Sequence, residues 1–167
     1  SISLLNLIAN TSIERKIYKA LETFVFDKKL RIVKIIFQKA KEFKLSIFLD
    51  KKYGKLTVDE CADLSREIKS LLDIENFIES PFRLEVSSAG IDRYLSSLDD
   101  FIKYRNYNVR IKSENKTRRG KLINNSSDSL TLSNKYGVKD ISLSSVLDVK
   151  LDLQGMSLKT IKEMEFK

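Results

Sequence analysis

The 167-residue sequence contains no histidine, one cysteine, one proline and only five glycines. Without histidine there is no imidazole general base, no Ser-His or Cys-His nucleophile pair and no His-containing zinc site. The lone Cys61 excludes an internal disulfide, in keeping with a reducing compartment. The glycines are too far apart for the phosphate loop G-x-x-x-x-G-K-[ST] or the dinucleotide fingerprint G-x-G-x-x-G. Carboxylates alone could hold magnesium, but no tight Asp/Glu cluster stands outside helical, solvent-facing spacing. Neither a catalytic residue nor a metal site is expected. No apolar run reaches the roughly 20 residues that cross a bilayer, and "SISLLNLIAN" has no basic flank or cleavage pattern of a signal peptide. A cytoplasmic protein, not associated with membranes, is expected.

Charge is what the chain has in quantity. Its 31 Lys and Arg against 23 Asp and Glu give +8, which favours an anionic partner such as nucleic acid. The charge is also concentrated. Between residues 101 and 121 stand Lys103, Arg105, Arg110, Lys112, Lys116, Arg118, Arg119 and Lys121, against the single acid Glu114. These are the candidate RNA-binding residues, with Lys116, Arg118 and Arg119 expected near a hairpin tip, "ENKTRR". Tyr104, Tyr107 and Tyr136 have the chemistry to stack on bases, although at least two are expected to plug the ends of a barrel or the junction between domains. Neither the GXXG loop of a KH domain nor an aromatic RNP1 segment is present.

Apolar periodicity separates two halves. "TSIERKIYKALETF" has capping-box spacing at Thr11 and Glu14 and a 3.6-residue apolar stripe, predicting a helix over about 12–24. "LRIVKIIFQ" and "FKLSIFLD" predict an antiparallel hairpin over 30–37 and 43–50. "TVDECADLSREIKSLLD" repeats the capping box at Thr57 and Glu60 and predicts a second helix, with Cys61 on its apolar face as a packing residue. After Pro81, "FRLEVS" alternates as a third strand. The order α-β-β-α-β predicts two helices on one face of a three-stranded sheet. Ser97 and Asp100 are spaced to start a short helix. Beyond it, "YNVRIK", "RGKLIN", "SLTLS", "VKDISL" and "VLDVKL" predict five short strands, which a small closed barrel would relieve of exposed edges. The fold class is therefore α+β: a domain over 1–93, a barrel over 94–152, and a tail over 153–167 with a terminal helix from Ser157.

Between the halves runs "RLEVSSAGIDRYL". Together with "LTVDECADLSREIKSLLD" and "GKLINNSSDSLTLS", in that order and spacing, it makes the chain resemble the ribosome maturation factor RimP family over roughly residues 12–152. The resemblance implies an N-terminal α/β domain joined to a barrel of the SH3-like or Sm-like kind. It also implies binding to the free small (30S) ribosomal subunit during late assembly, through rRNA and a ribosomal protein near the decoding centre. No catalytic activity or cofactor comes with the family, and a monomer is expected when free. The family usually has proline where this sequence has Ala89, and often again at Tyr94; Ala89 is expected to loosen the turn. Ser87, Ser88, Gly90, Asp92 and Arg93 form a candidate interdomain and docking motif, with Asp92 and Arg93 either facing a partner or bracing the joint as an ion pair. Two other readings are a general Sm-like or SH3-like RNA-binding or protein-docking module without a ribosomal role, and a carboxylate-dependent nucleic-acid hydrolase.

Overall fold

The computed structural model describes residues 2–90 and 93–154, together with Lys159 and Lys162. The terminal helix expected from Ser157 otherwise falls outside the described residues. Two compact units divide the chain, one over 8–89 and the other over 90–167 together with 1–7. Residues 1–7 thus group with the later unit rather than with the domain expected over 1–93.

The unit over 8–89 contains α2 (Ser12–Asp27), β1 (Leu30–Lys39), β2 (Phe43–Lys51), α3 (Val58–Glu75) and β3 (Phe82–Ser88), following α1 (Ile2–Ile8). Both expected capping boxes form, Thr11 with Glu14 and Thr57 with Glu60, each satisfying two helix-start N–H groups reciprocally. Helix α3 ends on Asn76 in the left-handed conformation (φ 52°), a conformation asparagine tolerates better than most residues. The sheet order is β1-β2-β3, with β1 antiparallel and β3 parallel to β2, so α3 is the crossover of a βαβ unit.

Register explains why β1 reads as nearly continuous apolar sequence. Ile32 pairs with Leu49, and Ile35 with Ile47; a bulge between Ile32 and Lys34 shifts the inward parity from even to odd positions. Ile32, Ile35, Leu45, Ile47 and Leu49 then meet Ile17, Leu21 and Val25 of α2 and Leu64, Ile68 and Leu72 of α3 in one core. Each such side chain, fully buried, contributes roughly 1.5–3 kcal/mol. Glu14 adds a polar stitch at the edge. One carboxylate oxygen accepts from the N–H groups of Asn10 (3.1 Å) and Thr11 (3.2 Å), and the other from Phe37 N–H of β1 (2.8 Å).

In the later unit, α4 (Leu98–Lys103) precedes β4 (Asn108–Ser113), β5 (Thr117–Asn125), β6 (Ser129–Asn134), β7 (Gly137–Ser142) and β8 (Val146–Leu151), with a 3-10 turn over Leu143–Ser145. All five expected strands form, but not the closed barrel. The ladder runs β7-β6-β5-β4-β8 and stays open between β7 and β8. The physical reason lies in β7, of whose residues only Ile141 is buried: it has too little inward apolar surface to be drawn across to β8. The core is completed by helices instead, through Leu7 of α1 and Phe101 of α4, with Tyr104 just after α4. The outer edge of β8 is not left bare, since Leu95 N–H donates to Val149 O (2.8 Å) and Leu151 N–H to Arg93 O (2.9 Å). Gly120 is required where β5 and β6 approach: a Cβ there would stand 2.6 Å from Ser133 O.

Candidate nucleic-acid interface

Strands β8, β4 and β5 lie side by side, and alternation sorts their residues. Val109, Ile111, Val149 and Leu151 are buried, which puts Arg110, Lys112 and Lys150 on the outer face. Leu122 faces inward on β5, so Arg119 and Lys121 are outward. The register sets Lys150 opposite Arg110, and Arg110 opposite Arg119. Three cations thus stand abreast on three adjacent strands. Like charges directly opposite across a sheet destabilise it, by roughly 0.2–1 kcal/mol per pair. The ends of the row are partly answered: Arg119 Nη1 lies 3.0 Å from Asp152 Oδ2, and Lys150 Nζ lies 5.3 Å from the centroid of the Tyr94 ring. Arg110, in the middle, has no ion pair among the described residues. An anion on this face would relieve the repulsion and accept several charge-assisted hydrogen bonds at once.

The eight basic residues of 101–121 therefore do not form one strip. Arg110, Lys112, Arg119 and Lys121 share the outer face. Arg118 sits opposite Ile111 on the other side of β5, because strand neighbours point to opposite faces. This corrects the picture of Lys116, Arg118 and Arg119 clustered at a hairpin tip: β5 begins at Thr117, and only Lys116 belongs to the turn. Lys103 ends α4 with its Nζ 5.5 Å from the Tyr104 ring centroid, and Arg105 Nη2 donates to Asn125 Oδ1 (2.7 Å), tying the exit of α4 to β5. Of the tyrosines, Tyr104 is buried, Tyr107 packs against it edge-on at 5.6 Å, and Tyr136 is exposed. Sequence reasoning missed Lys150 on the outer face, and Lys135 and Lys139 beside Lys116 and Arg118. Strand order alone brings them there.

The 83–95 motif divides between the units. Ser87 and Ser88 close β3 opposite Phe48 and Leu49. Ala89 N–H donates to Leu49 O (2.9 Å), extending the β2–β3 ladder by one residue. That bond opposes the expected loosening at Ala89, because a proline there has no N–H to donate. Gly90 follows with φ +61°, a left-handed turn out of the strand. Asp92 lies outside the described residues. Arg93 is buried: its Nη2 is 3.2 Å from Asp100 Oδ1, Asp100 Oδ2 accepts from Ser96 N–H (2.9 Å), and the guanidinium carbon lies 5.3 Å from the Tyr104 ring centroid. Arg93 is thus engaged inside the later unit.

Cys61 is half-buried on α3. Burial pushes its thiol above the usual cysteine range; a backbone hydrogen bond with Ser88 opposes this and the charge of Glu60 adds to it. The thiol is therefore held protonated at neutral pH, which suits a packing residue rather than a nucleophile. No group of three or more His, Cys, Asp or Glu among the described residues could hold a metal ion. No described helix is long and apolar enough to cross a membrane.

Residues 20–92 match the family model of the RimP N-terminal domain. These residues form a RimP N-terminal domain. The match begins within α2, takes in the whole three-stranded sheet and α3, and ends just past Gly90. RimP is a ribosome maturation factor family, so a ribosome-related partner follows in general terms. The RimP match stops short of β4–β8, and the cation row lies beyond it.

Proposed function

We propose that this chain, which carries a RimP N-terminal domain, is a non-enzymatic assembly factor of the cytoplasm. It acts as a monomer that binds the free small (30S) ribosomal subunit and assists its maturation through rRNA and a ribosomal protein near the decoding centre. On this reading the outer face of β8, β4 and β5 meets rRNA phosphates. The observation that carries the contact is the row Lys150, Arg110, Arg119, in which repulsion is built into the free protein and removed by a phosphate. Each phosphate neutralised releases counterions, so affinity falls steeply with salt. Lys112 and Lys121 flank the row on the same face and extend the contact along the backbone. Residues Ser87, Ser88, Gly90 and Asp92 are proposed to serve the joint between the units, with Arg93 anchoring it from within the later one.

Sedimentation through a sucrose gradient tests this. The protein is expected to travel with free small subunits and far less with full ribosomes; equal association with both, or with neither, at moderate salt would defeat the reading. Charge reversal by Arg110→Glu separates binding from folding. It is expected to weaken association while leaving the melting temperature unchanged or raised, since the new carboxylate faces two cations. Undiminished association of that variant would remove the outer face from the contact.

A further inference from the structure

The turn between β6 and β7 and the start of β7 hold two large apolar side chains in water. Tyr136 is 86% exposed and Val138 66%. The backbone beneath the ring is nonetheless held. Tyr136 N–H donates to Asn134 Oδ1 (2.9 Å), and Asn134 Nδ2 donates to Arg119 O (2.9 Å), which fastens the turn to β5. Lys135 and Tyr136 are the two residues between the paired Asn134 and Gly137, and Gly137 takes φ +119°, so a tight hairpin presents the ring. A flat aromatic surface is therefore displayed from a defined position, with nothing among the described residues stacked on it except a cation: Lys135 Nζ lies 5.2 Å from the ring centroid.

Beside the ring, an open groove of ≈ 850 Å³ runs between this turn and the start of β5. Lys116, Arg118 and Lys139 line it with Tyr136, Leu132 contributes to its lining, and no carboxylate is among its lining residues. None of those three cations has an ion pair among the described residues. Arg118 lies on the opposite side of β5 from the outer-face row, while Arg119 of that row also lines the groove, so the groove adjoins the first anion contact and continues it around β5. A groove that is cationic, free of acids and next to an exposed ring matches one chemistry well: a phosphodiester strand whose bases are free to stack. A duplex keeps its base faces buried in its own stack and offers the ring nothing.

We propose that this groove takes an unpaired RNA nucleotide, its base stacked on Tyr136 and its flanking phosphates met by Lys116, Arg118 and Lys139. The proposal rests on the reading that this unit contacts rRNA, and it narrows that contact to a single-stranded segment.

The sequence contains no tryptophan, so Tyr136→Trp in the full chain creates a single indole reporter at the site. Titration with a short single-stranded oligoribonucleotide is expected to quench its emission; a blunt duplex of the same sequence is expected to leave it unchanged. Tyr136→Ala, at an exposed turn position that should not affect folding, is expected to weaken single-strand binding by on the order of 10-fold, with Tyr136→Phe close to the parent. Arg118→Gln or Lys139→Gln should each lower the salt slope of single-strand binding by about 0.7. Binding without quenching, equal response to the duplex, an unaltered affinity of Tyr136→Ala, or a preference for an acidic peptide over RNA would each overturn the proposal. Quenching by single strands without co-sedimentation on small subunits would retain the groove and reject the ribosomal reading. Co-sedimentation without quenching by RNA would do the reverse.

Discussion

Replacing Glu14 with alanine removes one small group that holds three backbone donors. Glu14 is only 5% exposed, and its carboxylate accepts from Asn10, Thr11 and Phe37 N–H, the last across the space between α2 and β1. A hydrogen bond to a charged group is worth about 1.5–3 kcal/mol, and a buried donor left unmet costs about 1–3 kcal/mol. The donors of Asn10 and Thr11 sit at a helix start where water can replace part of the loss. Phe37 N–H, in the strand under α2, has less recourse. The expected cost of Glu14→Ala is therefore about 2–4 kcal/mol, a large fraction of the 5–15 kcal/mol by which domains are usually stable. Glu14→Gln keeps the shape and one acceptor but turns an amide NH2 toward an N–H donor, so it should cost roughly half as much. Because two units unfold in one chain, a single melting curve is ambiguous. Urea unfolding followed by circular dichroism should be paired with hydrogen exchange at the Phe37 amide. If Glu14→Ala unfolds at the parental urea concentration with Phe37 still protected, the carboxylate does not stitch α2 to β1.

Ala89→Pro restores the residue usual in the family but deletes the N–H bonded to Leu49 O; it should destabilise the 8–89 unit by about 1 kcal/mol or more, read from the urea midpoint, and a gain in stability would contradict the ladder extension. Asp100→Ala leaves Arg93 without its carboxylate inside the later unit, an expected loss of about 3–5 kcal/mol that would show as selective loss of amide protection in β4–β8. Glu60 is held below the usual carboxylate range chiefly by its hydrogen bond with Lys51 and by those with Thr57. Its depressed folded value means that its stabilisation is present above the ordinary value near 4.5 and is lost as pH falls through the folded one. Glu60→Gln should therefore flatten the acid limb of the stability–pH curve below about pH 4.5 and leave its slope near neutrality unaltered.

What could be read from the sequence was what depends on near neighbours. Thr11 with Glu14, Thr57 with Glu60, and Ser97 with Asp100 are three residues apart, and each forms the helix start its spacing announces. Strand alternation likewise located all eight strands to within a few residues. What escaped depends on which distant segments meet. Lys150 joins Arg110 only because β8 pairs with β4, and Arg118 parts from Arg119 because both already lie in β5, paired with Ile111 and Arg110 of β4. Leu7 enters the core of the later unit across most of the chain's length, a contact no local pattern encodes. Closure of the barrel was inferred from strand number and spacing. It failed on β7, whose Val138, Lys139 and Asp140 supply no buried side chain. Glu14 was legible as half of a capping box, while its reach to Phe37 depends on how α2 crosses β1.

The proposed contact joins rRNA of the small subunit to the outer face of β8, β4 and β5, in a chain that carries a RimP N-terminal domain. Ultraviolet cross-linking of the protein bound to free small subunits, followed by mass spectrometry of the RNA-linked peptides, tests it directly. Cross-links are expected in peptides spanning 108–121 and 146–151. Cross-links confined to residues 8–89, with none in those strands, would contradict it.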